Sequence, residues 1–577
     1  MRSVTPERTG VCTQGTGAVA LLVWGCVWFF LCVVSSTARA TYPTLTAVFP
    51  HAGAPGKTFP VKFAGKLDGL GRRVWCDDPA IVFGLPDAEG KTTVSIAPEA
   101  TTGLHLVRFV NAEGATAPIR FTVGSLPQIE EKEPNDERDQ PQTVAQLPAW
   151  IMGQLDKPGD VDGYAVSLKK GVSLLIRLDA YVLSSSVDMH VQVLDSQGAV
   201  LLTASDGRNL DPEAVFISPA DGSYVVRVAG FAMPPGTDVG FTGGAGKVYQ
   251  LTLTTGPAVT GVFPAAVPFE GKQSVQFRGL GLKAEVTKGE VAAVPLSGLD
   301  EIGTVLPPHA SAPIDVVRTR YPIQTPQPAS VEAPPVLQPP VVIGGALLAA
   351  GSVAAYRVEM KKGEKLKARF WSKSLGLSVE GSLRVLGPAG NQVAGTDVGA
   401  DAFSEPVLSW TASMDGPYTV SVSDLFRRGG TGFEFVLEVS PPSPGYAVTL
   451  ADGKPLRVEV GKTATFKAKV VLNDGWKDPL VARLRGLPDG VYAAEIPVPE
   501  KGGDVEFTLQ AASNASPGSA PVSVEVWTRS DPPVFSSAAF PVRADLRRGH
   551  SQSDFAKDLW VSVVVPGTPP PPAPAKK

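Results

Sequence analysis

YAVSL (164–168), SLLIRLDAYV (173–182), HVQVLD (190–195), AVLLTAS (199–205), YVVRVAG (224–230) and YQLTLTT (249–255) follow one another within 92 residues of the sequence. Each alternates apolar with polar side chains at a period of two, which turns one set inward and the other toward water. LDSQG (194–198) and ADGSY (220–224) supply the Asp, Gly and Ser that tight turns between such strands require. Short alternating strands joined by turns, with no helical period among them, are the pattern of a two-sheet β-sandwich.

The same cadence runs through most of the chain. At 577 residues it is long enough for several domains. With Gly 60, Pro 54 and only 19% charged residues, and without long amphipathic periods, it reads as an all-β protein. The expected fold class is tandem β-sandwiches, immunoglobulin-like and jelly-roll-like, with little helix outside the N-terminal segment. The 52 basic and 56 acidic residues leave a net charge of −4, too balanced for a nucleic-acid partner.

The N-terminus carries an address. Arg2 and Arg8 precede an apolar run over 18–34, and Ala38-Arg39-Ala40 offers small residues at a signal-peptidase site, with cleavage before Thr41. Secretion, or retention in the periplasm or cell envelope, follows. The run is long for a signal, so an uncleaved membrane anchor is the alternative. Cys12, Cys26 and Cys32 lie in this segment, leaving Cys76 alone beyond it and no intramolecular disulfide there. Cys76 reads as a small buried thiol rather than a reactive one.

The sharpest chemical signal is EKEPNDERDQPQTVAQLPAWIMGQLDKPGDVDGY (131–164). Glu131, Glu133, Asn135 and Asp136 open it, and Asp160 and Asp162 close it. Six oxygen-bearing side chains in two clusters, with no His or Cys beside them, suit a hard cation such as calcium. The bland alternative is that Asp160 and Gly163 only make a turn while Asn135 and Asp136 cap one.

EKEPND, GDVDGY, the strand LLIRL, the turn LDSQG and the hairpin ADGSY together resemble the bacterial pre-peptidase C-terminal (PPC) domain, over about 128–257. That resemblance implies a small β-sandwich attached to a secreted protein. In calcium-binding relatives, notably the collagen-binding domains of clostridial collagenases, ligands come from the EPND-type segment and the Asp-rich turn. It therefore implies Glu131, Glu133, Asn135, Asp136, Asp160 and Asp162 as metal ligands, although other members carry no metal. TLTAVFPHAGAPGKTFPVKFAG (44–65) resembles the start of an IPT/TIG immunoglobulin-like domain, a module that serves as a spacer or binding surface.

The sequence then repeats itself. Val48-Phe49-Pro50 recurs as Val262-Phe263-Pro264 and Phe63-Ala64-Gly65 as Phe277-Arg278-Gly279, both 214 positions on. Tyr164 with Lys169-Lys170-Gly171 recurs 192 positions on as Tyr356 with Lys361-Lys362-Gly363, and Asp221-Gly222 with Tyr224 recurs 194 on as Asp415-Gly416 with Tyr418. A duplicated pair of domains explains these offsets. In the second copy Ser352 and Ala354 stand for Asp160 and Asp162, and a Pro-rich stretch (324–340) replaces the EPND segment, so at most one metal site is expected, in the first copy.

Residues 458–472, 486–499 and 505–527 have the cadence of a last immunoglobulin-like or NEW3-like module, and the tail from Gly567 reads as polyproline. The expected layout is a signal peptide over 1–40, an IPT/TIG-like domain over 41–126 and a PPC-like domain over 128–257. A second, partly degenerate IPT-like domain with a Pro-rich linker follows over 258–333, a second PPC-like domain over 334–441, the last module over 442–565 and the tail over 566–577.

Catalytic signatures are scarce. His51, His105, His190, His309 and His550 are scattered without metal spacing, and no nucleophile elbow or phosphate loop is present. Trp75, Trp150, Trp371, Trp410, Trp476, Trp527 and Trp560 read as core rather than a sugar platform. The pairs Arg72-Arg73, Arg427-Arg428 and Arg547-Arg548 read as solvated surface. The long loop 231–246 is a second candidate binding surface. The reading is an exported, non-enzymatic binding or scaffolding protein, with calcium setting the angle between the first two domains and an extracellular protein or polysaccharide as partner. The rivals are an accessory module of a degradative system and an envelope-associated hydrolase or its inactive remnant.

Overall fold

In a computed structural model, residues 42–567 are described apart from 70–71, 208–209, 233–239, 284–285, 296–300, 311–312, 325–329, 398–404, 452, 531–534, 539 and 542–554. The expected signal segment, its three cysteines, Arg547-Arg548, His550 and nearly all of the tail lie outside the described residues. What is described is strand and turn, with helix reduced to 3-10 turns such as Lys373–Leu375. No helix among these residues is long and apolar enough to cross a membrane. The chain is all-β, built as tandem sandwiches.

The duplicated sandwiches have the same strand order. In the first, Gln128–Glu130, Ala149–Gln154, Val248–Thr254, Ser173–Asp179 and Glu213–Ile217 make one sheet. Gln142–Thr143, Asp162–Leu168, Gly222–Ala232, Val187–Leu194 and Val200–Ala204 make the other. The second copy repeats this order from Ile323–Gln324 to Glu434–Ser440. Between the sheets lie Tyr164, Ile176, Val191, Val226 and Leu251 in one copy and Tyr356, Ala368, Leu383, Val420 and Leu437 in the other, all 2% exposed or less. Ile323–Gln324 pairs with Val342–Ile343, and Val336–Leu337 with Arg357–Val358. The Pro-rich stretch therefore crosses the second sandwich itself. This corrects the expected boundary at 333/334, because two-residue edge strands beside prolines leave almost no alternating pattern to read.

The immunoglobulin-like copies agree in detail as well. Val48 lies opposite Phe63, and Val262 opposite Phe277, each strand pair with a bulge near its start. Gly65 (φ 146°) and Gly279 (φ 155°) sit at those crossings, where a Cβ would strike the carbonyl of Thr44 or Ala258. Only glycine fits there, which is why the Phe-x-Gly signature recurs.

Each immunoglobulin-like domain packs its end on the outer face of the sandwich that follows. Phe49, Ala52 and Leu126 meet Trp150 and Met152 in the first pair. In the second pair Val342, Trp371, Leu375 and Val436 join the core of the preceding domain. Trp150 and Trp371 thus seal domain joints, whereas Trp410 lies between sheets. The first and last domains also meet. Trp75 and Trp560 stack edge to face at 5.3 Å over Val110 and Ala115, and the Arg73 guanidinium, donating to the Ser519 carbonyl, lies over the Trp560 ring. Arg73 is accordingly a joint residue and not free surface, while Arg428 is held by Asp424.

Candidate metal centre

The acidic stretch comes together. Residues 131–136 run on from the edge strand Gln128–Glu130 and return across the turn that begins strand Asp162–Leu168; the Gly163 N–H donates to the Asn135 carbonyl at 3.1 Å. One carboxylate oxygen each from Glu133, Asp136, Asp160 and Asp162 falls in a group whose members all lie within 4.8 Å of one another. Asn135, Asp160 and Asp162 are fully buried there.

The hydrogen bonds divide these side chains in a regular way. Asp162 accepts from the Tyr249 hydroxyl at 2.6 Å, Asp160 from the Asp156 N–H, and Asp136 from the Lys157 ammonium at 2.8 Å. The Asn135 amide nitrogen donates to Glu131 at 3.1 Å. The other carboxylate oxygen of Asp136, Asp160 and Asp162, and the amide oxygen of Asn135, are buried and have no hydrogen-bond partner. Four buried oxygens without a hydrogen bond, only the Asp160 one of them near a cation (Lys157 at 3.6 Å), represent an unmet desolvation cost of the kind a bound cation offsets. A donor set of carboxylates and one amide, all oxygen, fits calcium and does not fit a thiophilic metal.

Glu131 plays a different part from the one its sequence position implied. One of its oxygens accepts from Asn135 and Tyr164 at 3.1 Å each and lies 3.2 Å from the Tyr249 hydroxyl, whose proton goes to Asp162, and the other accepts from the Gln154 N–H at 2.7 Å. Both oxygens are already engaged, so Glu131 orients Asn135 and the two tyrosines instead of joining the oxygen group. Tyr249 lies outside the stretch, and the parts played by Tyr164, Gln154 and Lys157 within it were not legible from residue type. A signal existed nonetheless: Gly153 lies opposite Tyr249 in the first copy and Gly345 opposite Phe435 in the second. The hydroxyl disappears in the copy that has Ala354 for Asp162.

The electrostatics follow from crowding. Burial, then the charge of Glu131, pushes the Asp162 carboxyl up to about 10. Burial also raises Asp160 and Glu133, with neighbouring carboxylates adding to the effect. Lys157 is the local counter-charge, 3.6 Å from Asp160 and with its side chain 61% exposed.

In the second copy the corresponding turn survives without carboxylates. Gly159 (φ 88°) and Gly351 (φ 76°) occupy the same place, and the Ala349 N–H donates to the Ser352 hydroxyl as the Asp156 N–H does to Asp160. The acidic side chains are therefore not what the fold requires.

No family model matches the chain. No curated protein matches it either. Among solved structures, a tetra-tandem repeat from the extending region of a large adhesion protein is similar at 12% identity, covering 86% of this chain and 98% of that one, with a TM-score of 0.11. SGBP-B of a Bacteroides ovatus mixed-linkage glucan utilization locus, solved in complex with a mixed-linkage heptasaccharide, matches at 9% identity over 37% of this chain and 76% of its own, TM-score 0.14. Surface layer protein SbsC, domains 1–6, matches at 11% identity over 92% of this chain and 55% of its own, TM-score 0.14. At these scores the likeness assigns no function.

Other sequence candidates separate. His105 joins Cys76 and Asp77, but its Nδ1 contacts Asp77 at 3.1 Å and its Nε2 the Thr101 carbonyl at 2.7 Å, so neither nitrogen is left for a metal. Cys76 is a free thiol that burial, followed by the charge of Asp77, pushes up, away from reactivity. The tryptophans form no exposed row: Trp150, Trp371, Trp410 and Trp560 are buried and Trp75, Trp476 and Trp527 half-buried. Of the loop 231–246, residues 233–239 lie outside the described residues.

Proposed function

We propose that the chain is an exported, non-catalytic array of β-sandwiches that binds or scaffolds extracellular material, and that its first PPC-like sandwich takes one calcium ion. The observation that carries the calcium reading is the set of four buried side-chain oxygens without hydrogen bonds, three of them on carboxylates grouped with Glu133. Glu133, Asn135, Asp136, Asp160 and Asp162 would hold the ion, with Glu131 and Tyr249 orienting them. The ion would tie 131–136 to the turn at 159–163 inside one sandwich. It would not set the angle between the first two domains, because Trp150, Met152, Phe49 and Ala52 fix that joint by apolar contact.

The test is thermal unfolding of residues 41–577 in EDTA and in millimolar calcium, beside the Asp160→Ala, Asp162→Ala double variant. Calcium at about a hundred times its Kd stabilises by about 2.7 kcal/mol, which raises one transition by several degrees in a domain of this size. The variant abolishes the rise. Coincident curves for the native sequence would reduce the cluster to turns and caps.

A further inference from the structure

The outward face of the first PPC-like domain carries a half-open recess of about 140 Å³. At about 30 Å³ per water it accommodates four or five waters, the space of one ring-sized group. Arg227 lies opposite Gln192, and His190 opposite Ala229, in the central pair of strands Gly222–Ala232 and Val187–Leu194. The alternation of the strand continues to Phe231, and the Phe241 ring closes the wall at 5.1 Å from it, tilted by 54°.

Arg227 is the unusual member. Arg177, Arg278, Arg369, Arg384, Arg428 and Arg483 each hold a carboxylate. Arg227 makes no ion pair or hydrogen bond among the described residues, and its Nε is buried without a partner. A guanidinium left so on the wall of a recess is a planar fork of donors that matches a carboxylate. Phe231 and Phe241 are 41% and 37% exposed, an unusual state for adjoining phenyl rings, and they offer an apolar face to a flat or chair-shaped ring. Gln192 provides both a donor and an acceptor, and His190, whose Nδ1 bonds the Ser205 hydroxyl at 2.9 Å, keeps Nε2 for a hydroxyl.

The second copy dismantles the arrangement. Arg384 and Ser421 occupy the places of Gln192 and Arg227, and Ser382 and Ser423 those of His190 and Ala229. Arg384 there is bound to Asp397. The duplicated fold thus stands without a free arginine on this face, so folding does not explain Arg227.

We propose that this recess binds a hexuronate residue of an acidic polysaccharide, its carboxylate on Arg227, its hydroxyls on His190 and Gln192, and its ring against Phe231 and Phe241. The inference deepens the binding reading above by naming a ligand class, yet it uses none of the acidic-cluster side chains.

Calorimetric titration of residues 41–577 with trigalacturonate, in EDTA, tests it. Binding in the micromolar to millimolar range is expected, at least tenfold weaker for the methyl-esterified trisaccharide and for Arg227→Met, and weaker for Phe231→Ala. Because Arg227 has no partner, Arg227→Met should unfold at the native temperature, which separates lost binding from lost fold. Absence of binding, equal binding of the neutral ester, or native affinity in Arg227→Met overturns the proposal. Since the titration contains no calcium, its failure and the failure of the calcium reading are separate results.

Discussion

Tyr249 decides more about the acidic cluster than any single carboxylate. Its hydroxyl donates to Asp162 at 2.6 Å and contacts Glu131 and Tyr164, so it fixes which Asp162 oxygen remains bare. Tyr249→Phe, which copies Phe435, is expected to weaken calcium binding by about tenfold, the scale of losing a hydrogen bond that orients a ligand carboxylate, with little change in the EDTA melting temperature; calcium titration followed by calorimetry reads this. Lys157→Ala removes the cation that competes for the same oxygens, so calcium should bind more tightly while the ion-free domain melts lower. The pH dependence has a definite sign. Asp162 is raised from 3.8 to about 10, so the folded, ion-free domain holds a proton that the unfolded chain releases. Stability in EDTA should therefore fall as pH rises from about 4 toward 10, whereas calcium affinity should climb over the same interval because the ion displaces that proton. Melting curves at pH 5, 7 and 9 with and without calcium check both halves.

At the scale of elements, the joint between the first immunoglobulin-like domain and its sandwich contains a histidine with no partner. Both ring nitrogens of His51 are buried without hydrogen bonds, and burial lowers the imidazole to about 3 against the opposing charge of Asp179. A depressed histidine contributes stability that is present above pH 6.5 and lost as pH falls toward 3. Asp211, which accepts three backbone N–H groups and is raised to about 6 by burial and Asp179, acts with the opposite sign, and Arg177 neutralises Asp179. His51→Ala, which reproduces Ala265 of the second pair, isolates the histidine: between pH 7 and pH 4 its melting temperature should drop less than that of the native chain. The elements themselves were readable where alternation was long, as in Val187–Leu194, and unreadable where a strand is two residues beside proline, as in Ile323–Gln324.

For the whole molecule, the contact between first and last domains is the feature with the largest reach. Trp560 is wholly buried, and the core it belongs to is made with Trp75, Val110 and Ala115, residues 445 to 485 positions earlier in the chain. Trp560→Ala removes the edge-to-face pair and a large apolar volume, a change that costs about 3–5 kcal/mol in a core. The expected outcome is separation of the terminal domains: a larger radius of gyration in small-angle scattering and faster proteolysis near residues 72–76, with the β signal in circular dichroism unchanged. An unaltered scattering profile would assign the arrangement to the remaining joints.

The sequence determined the period-two strands, the duplication and the oxygen-only character of 131–162, because each is written in residue type and near-neighbour spacing. The Phe-x-Gly recurrence, by contrast, has a cause in strand pairing, a glycine pressed against a carbonyl of the neighbouring strand. What only tertiary structure decided is which oxygens are bare, that Arg227 has no carboxylate beside it and which tryptophans meet. Glu131 and Asp162 look alike along the chain, but Tyr164 and Gln154 satisfy the first, while Tyr249, from a strand 87 residues further on, bonds one oxygen of the second and leaves the other bare. Charge and hydrogen-bond balance are sums over neighbours in space, and strand pairing chooses those neighbours.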